Sequence, residues 1–200
     1  MRSPVLLTVC LMLIFPETGS AQWQMGAGLA QEVFQGVSAG DEEGVPSVFR
    51  PAPSRMWSVR VETPGSRLRW ALEVRYARPL VTYQSAGEVE ITLQEHLTTA
   101  TGIHPAAIYP IVHLTDQVVL NLEGGPLLEF WSSRGEDRIA AVSGLAGMWL
   151  RVGLGGRFAG RLGATLGYSP TAVIDVTAIE GWESRRTWRR GLSGSLLIRL

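Results

Sequence analysis

The stretch Leu68-Arg69-Trp70-Ala71-Leu72-Glu73-Val74-Arg75-Tyr76 decides the fold of this 200-residue chain. Apolar side chains occupy every second position, and three of the four positions between them are charged. Successive side chains of a β-strand point to opposite faces, so this segment has one apolar face and one charged face. The same alternation occurs just before it, from Trp57 to Glu62, and Pro64-Gly65 between the two segments favours a tight turn. The sequence therefore predicts a β-hairpin whose two strands have matching faces.

A period of two recurs along the rest of the chain and predicts about eight strands. They span about 22–37, 54–63, 67–77, part of 88–113, 117–131, 138–153, 157–170 and 186–200. The fourth is the least regular, because the alternating Val89, Ile91 and Leu93 are followed by Pro105 and Pro110. Short turns alternate with longer loops at about 38–53, 78–87 and 171–185. This arrangement is typical of an all-β, closed, up-and-down antiparallel transmembrane barrel with both termini in the periplasm.

The N-terminus has the three parts of a secretory signal peptide. A short basic start, Met1-Arg2-Ser3, precedes an apolar run over 4–15, and small residues at 19–21 end the segment. The run is shorter than the roughly 20 residues that a helix needs to cross a bilayer. We therefore predict a signal peptide over 1–21, cleaved after Ala21, and a single barrel domain over 22–200.

Charge, cysteine and histidine content argue against several classes of function. The chain has 18 basic and 18 acidic residues, and this neutral balance gives no support for nucleic-acid binding. The only cysteine, Cys10, lies inside the predicted signal peptide, which excludes a disulfide framework in the mature chain. His96, His104 and His113 have spacings that fit no metal-ligand motif. The sequence thus predicts no catalytic residue, no metal site and no cofactor.

Alternation alone does not say whether the apolar face points out to lipid or into a core. A soluble barrel such as a lipocalin has its apolar residues inside. Two features favour lipid: the predicted strands are long enough for a tilted crossing of about nine to eleven residues, and aromatic residues lie near their ends, as in the girdles of membrane barrels. The predicted girdle consists of Trp23, Trp57, Tyr76, Phe130, Phe158, Tyr168 and Trp188.

The polar face is then expected to line a lumen that eight strands make just wide enough for side chains to fill. Charges in such a lumen must pair, because a buried charge without a partner is destabilising. The predicted lumen charge network consists of Arg60, Glu62, Arg69, Glu73, Arg75, Glu123, Arg151 and Arg161. Gly163 and Gly167 are expected to leave room for neighbouring arginine side chains. We therefore expect a filled lumen and no open pore.

In this pattern the chain resembles the small outer-membrane β-barrel families of Gram-negative bacteria, the group around the OmpA transmembrane domain and OmpX. The segment 120–126 is similar to the glycine-rich fifth strand of that group. Leu196-x-Ile198-x-Leu200 is similar to the terminal strand read by the barrel-assembly machinery, although it ends in Leu rather than Phe. The resemblance implies a monomeric outer-membrane protein, inserted by that machinery, with a structural, envelope or surface-binding role exercised through its loops.

The densest charge cluster precedes and begins the last strand, at the expected outer rim. It consists of Arg185, Arg186, Arg189 and Arg190. Basic groups at a membrane surface attract anionic head groups, so these residues are expected to contact lipopolysaccharide. Two alternatives stay open: a soluble periplasmic lipocalin-like barrel with an apolar ligand, and an outer-membrane lipid-modifying enzyme. The enzyme would need a nucleophile and base, for which His96 with Ser85 or Glu95 is conceivable.

Overall fold

The computed structural model describes most of the predicted mature chain. The described residues are 22–35, 38–42, 45–65, 67–85, 89–93, 99–132, 139–170, 173, 182–183 and 186–200. The predicted signal peptide, together with Glu95, His96 and Arg185, lies outside them. The described residues contain no helix that is long and apolar enough to cross a membrane.

Thirteen β-strands follow one another in the described part of the chain. They are β1 Gln24–Gln35, β2 Ser38–Glu42, β3 Val45–Pro51, β4 Ser54–Glu62, β5 Arg69–Ala77, β6 Val81–Ser85, β7 Val89–Leu93, β8 Thr99–His113, β9 Val118–Ser132, β10 Ile139–Gly155, β11 Phe158–Ser169, β12 Trp182–Glu183 and β13 Thr187–Arg199. Eight of them close into an antiparallel barrel in the order β1-β13-β11-β10-β9-β8-β5-β4. The predicted fold class is therefore confirmed, and each predicted strand corresponds to one barrel strand.

The opening hairpin has the matching faces that its sequence predicts. Val61 pairs with Leu72 and Val59 with Val74, so apolar residues of β4 lie opposite apolar residues of β5. Between the strands Gly65 has a φ of 150°, in the region that favours glycine. The charged residues on the other face, including Arg60 and its partner Glu73, point together into the barrel.

Closure staggers the barrel strands. Following the paired residues around the wall from Gln24 leads back to Phe34, ten residues further along β1. Such a stagger tilts the strands against the barrel axis. A row of paired residues therefore climbs toward the long-loop end on the way from β4 round to β13.

The fourth barrel strand, β8, contains both prolines that disturb its sequence pattern. A proline cannot donate to a strand ladder, and such residues are placed at bulges or where the donor is not needed. The register between β8 and β9 shifts between Pro110 and Val112, which is the position of a bulge. On β9, Gly125 lies so close to β8 that a Cβ atom there would overlap the Pro105 carbonyl oxygen. The glycine-rich part of β9 thus makes room for the irregular strand.

The long loops hold a second sheet that the sequence analysis did not predict. Its five strands have the order β12-β2-β3-β6-β7. The regions at 38–53, 78–87 and 171–185, expected to be loops, each contribute at least one strand to it. Val89–Leu93, assigned by its alternation to the fourth barrel strand, forms β7 of this sheet instead. The central pair joins two different loops, with Phe49 opposite Tyr83, so the pairing depends on the barrel that brings the loops together.

The barrel wall has its polar face inside and its apolar face outside. Arg60 is 1% exposed, whereas Leu192 is 70% exposed. This arrangement is the reverse of a soluble barrel, whose apolar side chains fill the interior.

Candidate functional site

The lower half of the lumen, nearer the short turns, is organised around Arg60. Its Nε donates to Glu62 Oε1 at 2.7 Å, and its two terminal nitrogens donate to the two carboxylate oxygens of Glu123, each at 2.7 Å. A further hydrogen bond of 3.1 Å runs from Nη1 to Glu73. The planar guanidinium group matches a carboxylate in this two-pronged geometry, which makes it a strong charge-assisted pair.

Arg161 shares the carboxylates of this lower cluster. Its Nη2 donates to Glu123 Oε2 at 2.6 Å, and its Nη1 lies 3.2 Å from Glu62 Oε1. The guanidinium carbon is 4.1 Å from the centroid of the inward-facing Trp149 ring, a cation–π contact. A Cβ atom on Gly163 would lie 2.5 Å from that ring. Gly163 therefore leaves room for the Trp149 ring. Its effect on an arginine is indirect, because it is Trp149 that contacts Arg161.

Two further arginines lie below this cluster, toward the short-turn end. Arg69 donates to Glu62 Oε2 at 3.1 Å and to Asn121 Oδ1 at 3.0 Å. Arg151 is half-buried and donates to Gln24 Oε1 at 2.7 Å. Both occupy the mouth of the lumen, so the lower cluster ends in basic groups.

The upper half of the lumen is organised around Arg189 and Glu129. Both terminal nitrogens of Arg189 donate to the Glu129 carboxylate, which also accepts from the Ser143 hydroxyl at 3.2 Å. Glu32 Oε2 lies 3.7 Å from Arg189 Nη1, Glu32 also pairs with Arg75, and Arg75 Nε lies 3.3 Å from Glu73 of the lower cluster. Arg75 therefore connects the upper and lower clusters into one network.

Gly167 leaves the space through which the Arg189 side chain crosses the lumen. A Cβ atom there would lie 2.6 Å from Arg189 Cγ. The structure thus places an arginine over Gly167, as the sequence analysis expected.

Buried charges in the lumen balance. Five arginines and five glutamates are buried: Arg60, Arg69, Arg75, Arg161, Arg189, Glu32, Glu62, Glu73, Glu123 and Glu129. Ions taken out of water are tolerated only when good geometry and further hydrogen bonds compensate their lost hydration. The contacts above give each of these ten residues a partner of opposite charge, so the network fills the lumen without a net buried charge from them.

The long-loop end of the lumen is closed by an apolar cluster. It consists of Phe34, Met56, Ala77, Ala100, Trp131 and Val173. The Phe34 and Trp131 rings meet edge to face with centroids 5.7 Å apart. Below them the lumen retains a cavity of about 20 Å³, lined in part by Arg60, Arg75 and His104, which is room for about one water molecule. Side chains, rather than solvent, therefore occupy the interior.

The structure places all eight residues of the predicted network in the lumen; seven of them are ion-paired, whereas Arg151 at the mouth hydrogen-bonds Gln24. Sequence reasoning missed Glu32, Glu129, His104 and Asn121, which are buried in the same lumen. His104 Nδ1 lies 4.0 Å from Glu123 Oε1. Each missed residue lies an even number of positions from the other inward residues of its strand. Counting every second residue along β1, β8 and β9 could therefore have found all four.

Arg189 is a correction to the sequence analysis. It was grouped with the arginines expected at lipid head groups, but it is 2% exposed and points into the lumen. The reason is the strand period: Arg189 and Arg190 are adjacent in β13, so they face opposite sides of the wall. Arg186 is exposed just before the strand, and Arg190 is exposed on the outer face.

The outer face carries aromatic residues near both ends of the strands. Trp57 pairs with Tyr76 and Tyr168 with Trp188, and Phe130 lies near the same long-loop end. We call these five residues the upper girdle. Trp23 and Phe158 lie near the short-turn end, where the structure adds the exposed Trp70 and Tyr109, which the sequence analysis did not include. These four form the lower girdle.

Comparison with known proteins identifies the fold. The Neisserial surface protein A is similar over 89% of this chain and 97% of its own, with 12% identity and a TM-score of 0.58. OprG from Pseudomonas aeruginosa is similar over 90% of this chain and 96% of its own, with 8% identity and a TM-score of 0.56. The outer-membrane protease OmpT from Escherichia coli gives 5% identity and a TM-score of 0.47 over 92% of this chain and 99% of its own. No family model and no curated protein matches the sequence. The chain thus has the fold of small outer-membrane β-barrels.

Proposed function

We propose that this protein is an integral outer-membrane barrel with a filled lumen, whose role is structural or surface-binding and not enzymatic. The observation that carries the proposal is the inverted wall, with ion-paired arginine and glutamate inside and an apolar band between two aromatic girdles outside. Water on the outer face would leave large side chains such as Trp57, 63% exposed, and Leu192, 70% exposed, without a partner. Lipid supplies that partner.

The same observation argues against the lipocalin-like alternative. A soluble barrel that binds an apolar ligand needs an apolar interior. Here the interior is crossed by the Arg60–Glu123 and Arg189–Glu129 pairs, the cavity of about 20 Å³ beside Arg60 is too small for such a ligand, and the recess at the short-turn mouth is lined by the charged Arg69, Arg151 and Arg199. The surface role is assigned to the five-stranded sheet, because it is the part of the molecule that the long loops build beyond the wall.

Localisation tests the proposal directly. Cells that produce the chain are fractionated, and the membrane pellet is extracted with detergent. We expect the protein in the outer-membrane fraction, with a mobility on gels that changes on boiling, as closed barrels show when they unfold. Recovery in the soluble periplasmic fraction without detergent would overturn the proposal.

Conductance tests the filled lumen separately. The purified protein is inserted in planar lipid bilayers, and current is recorded under an applied voltage. We expect no discrete conductance steps, because the apolar cluster and the paired ions leave no continuous water path. Reproducible steps from the folded protein would show that the lumen opens.

Two partners belong to this proposal. The barrel-assembly machinery would insert the chain by its terminal strand, and the lipid of the outer leaflet, including lipopolysaccharide, would surround the upper girdle. We expect a monomer, because the wall is closed and each barrel strand has both neighbours within the chain.

A further inference from the structure

The outer face of the barrel carries an unbalanced charge. Among the described residues of the eight barrel strands, the outward positions hold two charged side chains, Arg55 on β4 and Arg190 on β13, and both are exposed. The carboxylates of these strands all point inward and are buried: Glu32, Glu62, Glu73, Glu123 and Glu129. A charge on the lipid face of a barrel is destabilising at mid-membrane and tolerated near an interface. We therefore expect the two arginines to lie near a membrane interface and to pair with an anion there.

The register places both arginines at one level, on either side of β1. Gln31 lies opposite Arg55 on one side and opposite Leu192 on the other. Paired rows climb from β13 across β1 to β4, so Arg55 lies higher on the wall than Leu192. Arg190 is two residues above Leu192 on β13, and this brings it close to the level of Arg55. Neighbouring strands are about 4.8 Å apart, so the two spacings across β1 separate the arginines laterally by roughly 10 Å. Each is also two residues from a tryptophan of the upper girdle, Trp57 or Trp188. Both arginines therefore lie close to the upper girdle, near the level at which lipid head groups would begin.

An apolar groove of about 640 Å³ leads away from Arg190 across the outer wall. Its long walls and floor are formed by Leu122, Ala146, Met148, Ala164, Leu166 and Leu192. Two rows of paired residues define it: Arg190, Leu166 and Ala146 in one, and Leu192, Ala164, Met148 and Leu122 in the next. Because rows climb from β9 to β13, the groove rises from the middle of the wall to Arg190. Its volume lies within the roughly 300–1,000 Å³ that small-molecule sites occupy.

We propose that this groove binds one phosphorylated lipid of the leaflet at the long-loop end. Its phosphate contacts Arg190 and Arg55, and one acyl chain lies over the small side chains of Ala146 and Ala164. The inference rests on the proposed outer-membrane location. It adds a specific site to the general lipid contact of the wall.

The chemistry of the groove selects this occupant. The two arginines at the upper end of the groove repel a metal ion and attract a phosphate, which guanidinium groups bind in two-pronged geometry. An extended peptide would need free backbone donors and acceptors, but the strands that form the groove are already paired on both sides. A lipid needs no backbone partner, and it supplies both an anion and a chain.

Native mass spectrometry of the whole protein in a non-ionic detergent tests the site. The probes are dimyristoyl phosphatidic acid and dimyristoylglycerol, which have the same chains with and without the phosphate. We expect the wild type to retain the phosphatidic acid in preference to the diacylglycerol. Arg190→Gln should weaken phosphatidic acid retention about fivefold, which corresponds to about 1 kcal/mol for one arginine at a lipid surface. Arg55→Gln should weaken it by a similar or smaller factor.

Matched variants separate the groove from the rest of the wall. Ala164→Leu fills the groove and should reduce retention of the phosphatidic acid, whereas Ala107→Leu adds the same bulk at an outward position of β8 and should not. Arg157→Gln removes an exposed charge in the turn between β10 and β11 and should leave retention unchanged. Every variant is first shown to fold by its heat-dependent gel mobility.

Three results would overturn the inference. Retention could be equal for the two probes, the Arg190→Gln and Ala164→Leu variants could bind like the wild type, or inorganic phosphate at millimolar concentration could displace the lipid fully. The last result would indicate an anion site without a chain groove. A protein that folds as a membrane barrel but gives any of these results disproves the groove alone, whereas a soluble periplasmic protein disproves the proposed function.

Discussion

The two faces of the barrel wall follow different rules although their residues alternate along the same strands. Arg69 and Trp70 are neighbours, yet Arg69 is 7% exposed and ion-paired while Trp70 is 57% exposed. On the inner face the ten buried charged side chains each have a named partner of opposite charge, so residue identity matters at those positions. On the outer face the proposed partner is fluid lipid, so away from the proposed groove only the class of residue and its depth should matter. Substitutions should therefore cost more, and more specifically, inside than outside.

The largest effect is expected from Glu123, the carboxylate shared by Arg60 and Arg161. Glu123→Leu leaves two buried guanidinium groups without their main anion. Breaking a buried pair by removing one partner costs about 3–5 kcal/mol. The free energy of unfolding, measured by urea titration in lipid vesicles with tryptophan fluorescence, should fall by that amount.

A surface glutamate provides the control for Glu123. Glu183 is exposed on β12, so Glu183→Leu should change the free energy of unfolding by no more than about 0.5 kcal/mol. The double variant Arg60→Met with Glu123→Leu should lose less than the sum of its single changes, because the uncompensated charge of Arg60 is gone. Equal losses for Glu123→Leu and Glu183→Leu would mean that the ion pairs of the lumen contribute no more than a surface charge.

On the outer face the decisive residue is Leu72, which pairs with Val61 and Pro105 on the neighbouring strands. Leu72→Arg places a charge in the apolar band, and near the middle of a bilayer this costs about 2–4 kcal/mol. The same vesicle titration measures it. Leu114→Arg introduces the same side chain in the exposed turn between β8 and β9, where about 0.5 kcal/mol or less is expected. A neutral result for Leu72→Arg would mean that this face is in water.

The smallest effect on stability is expected for substitutions at two glycines on opposite faces of the wall. A Cβ atom at Gly163 would lie 2.5 Å from the Trp149 ring, whereas at Gly144 it would meet nothing within 4 Å. Gly163→Val should therefore cost about 1–3 kcal/mol by overpacking. Gly144→Val should be neutral or stabilising by up to about 1 kcal/mol, since β-branched residues favour strands. Thermal unfolding monitored by circular dichroism in detergent would rank the two variants, and the reverse order would contradict the assignment of faces.

Much of this wall could be predicted because its information is local. A period of two over Leu68–Tyr76 requires only that successive side chains alternate, which holds for any strand regardless of its neighbours. The same parity predicted the inward direction of Arg60, Glu73 and Arg161. The same alternation places Arg189 inward. Its sequence-based assignment to the outer rim is wrong because it treats the arginine cluster as one patch of charge and not as successive positions of a strand.

The partners within the lumen could not be predicted in the same way. Arg60 and Glu123 are 63 residues apart in sequence and 2.7 Å apart in space. Their meeting depends on the stagger of the closed barrel, which sums small offsets over all eight strand pairs. The same holds for the second sheet, in which Phe49 and Tyr83 pair across two loops whose own sequences show no regular alternation.

The sequence by itself determined the eight strands, the direction in which most of their side chains point and the balance of charge, because alternation and composition are properties of single segments. Only the tertiary structure decided which arginine meets which glutamate, what closes the lumen, and where the outer wall has a groove beneath an arginine. These depend on register and closure, which place residues from distant segments side by side.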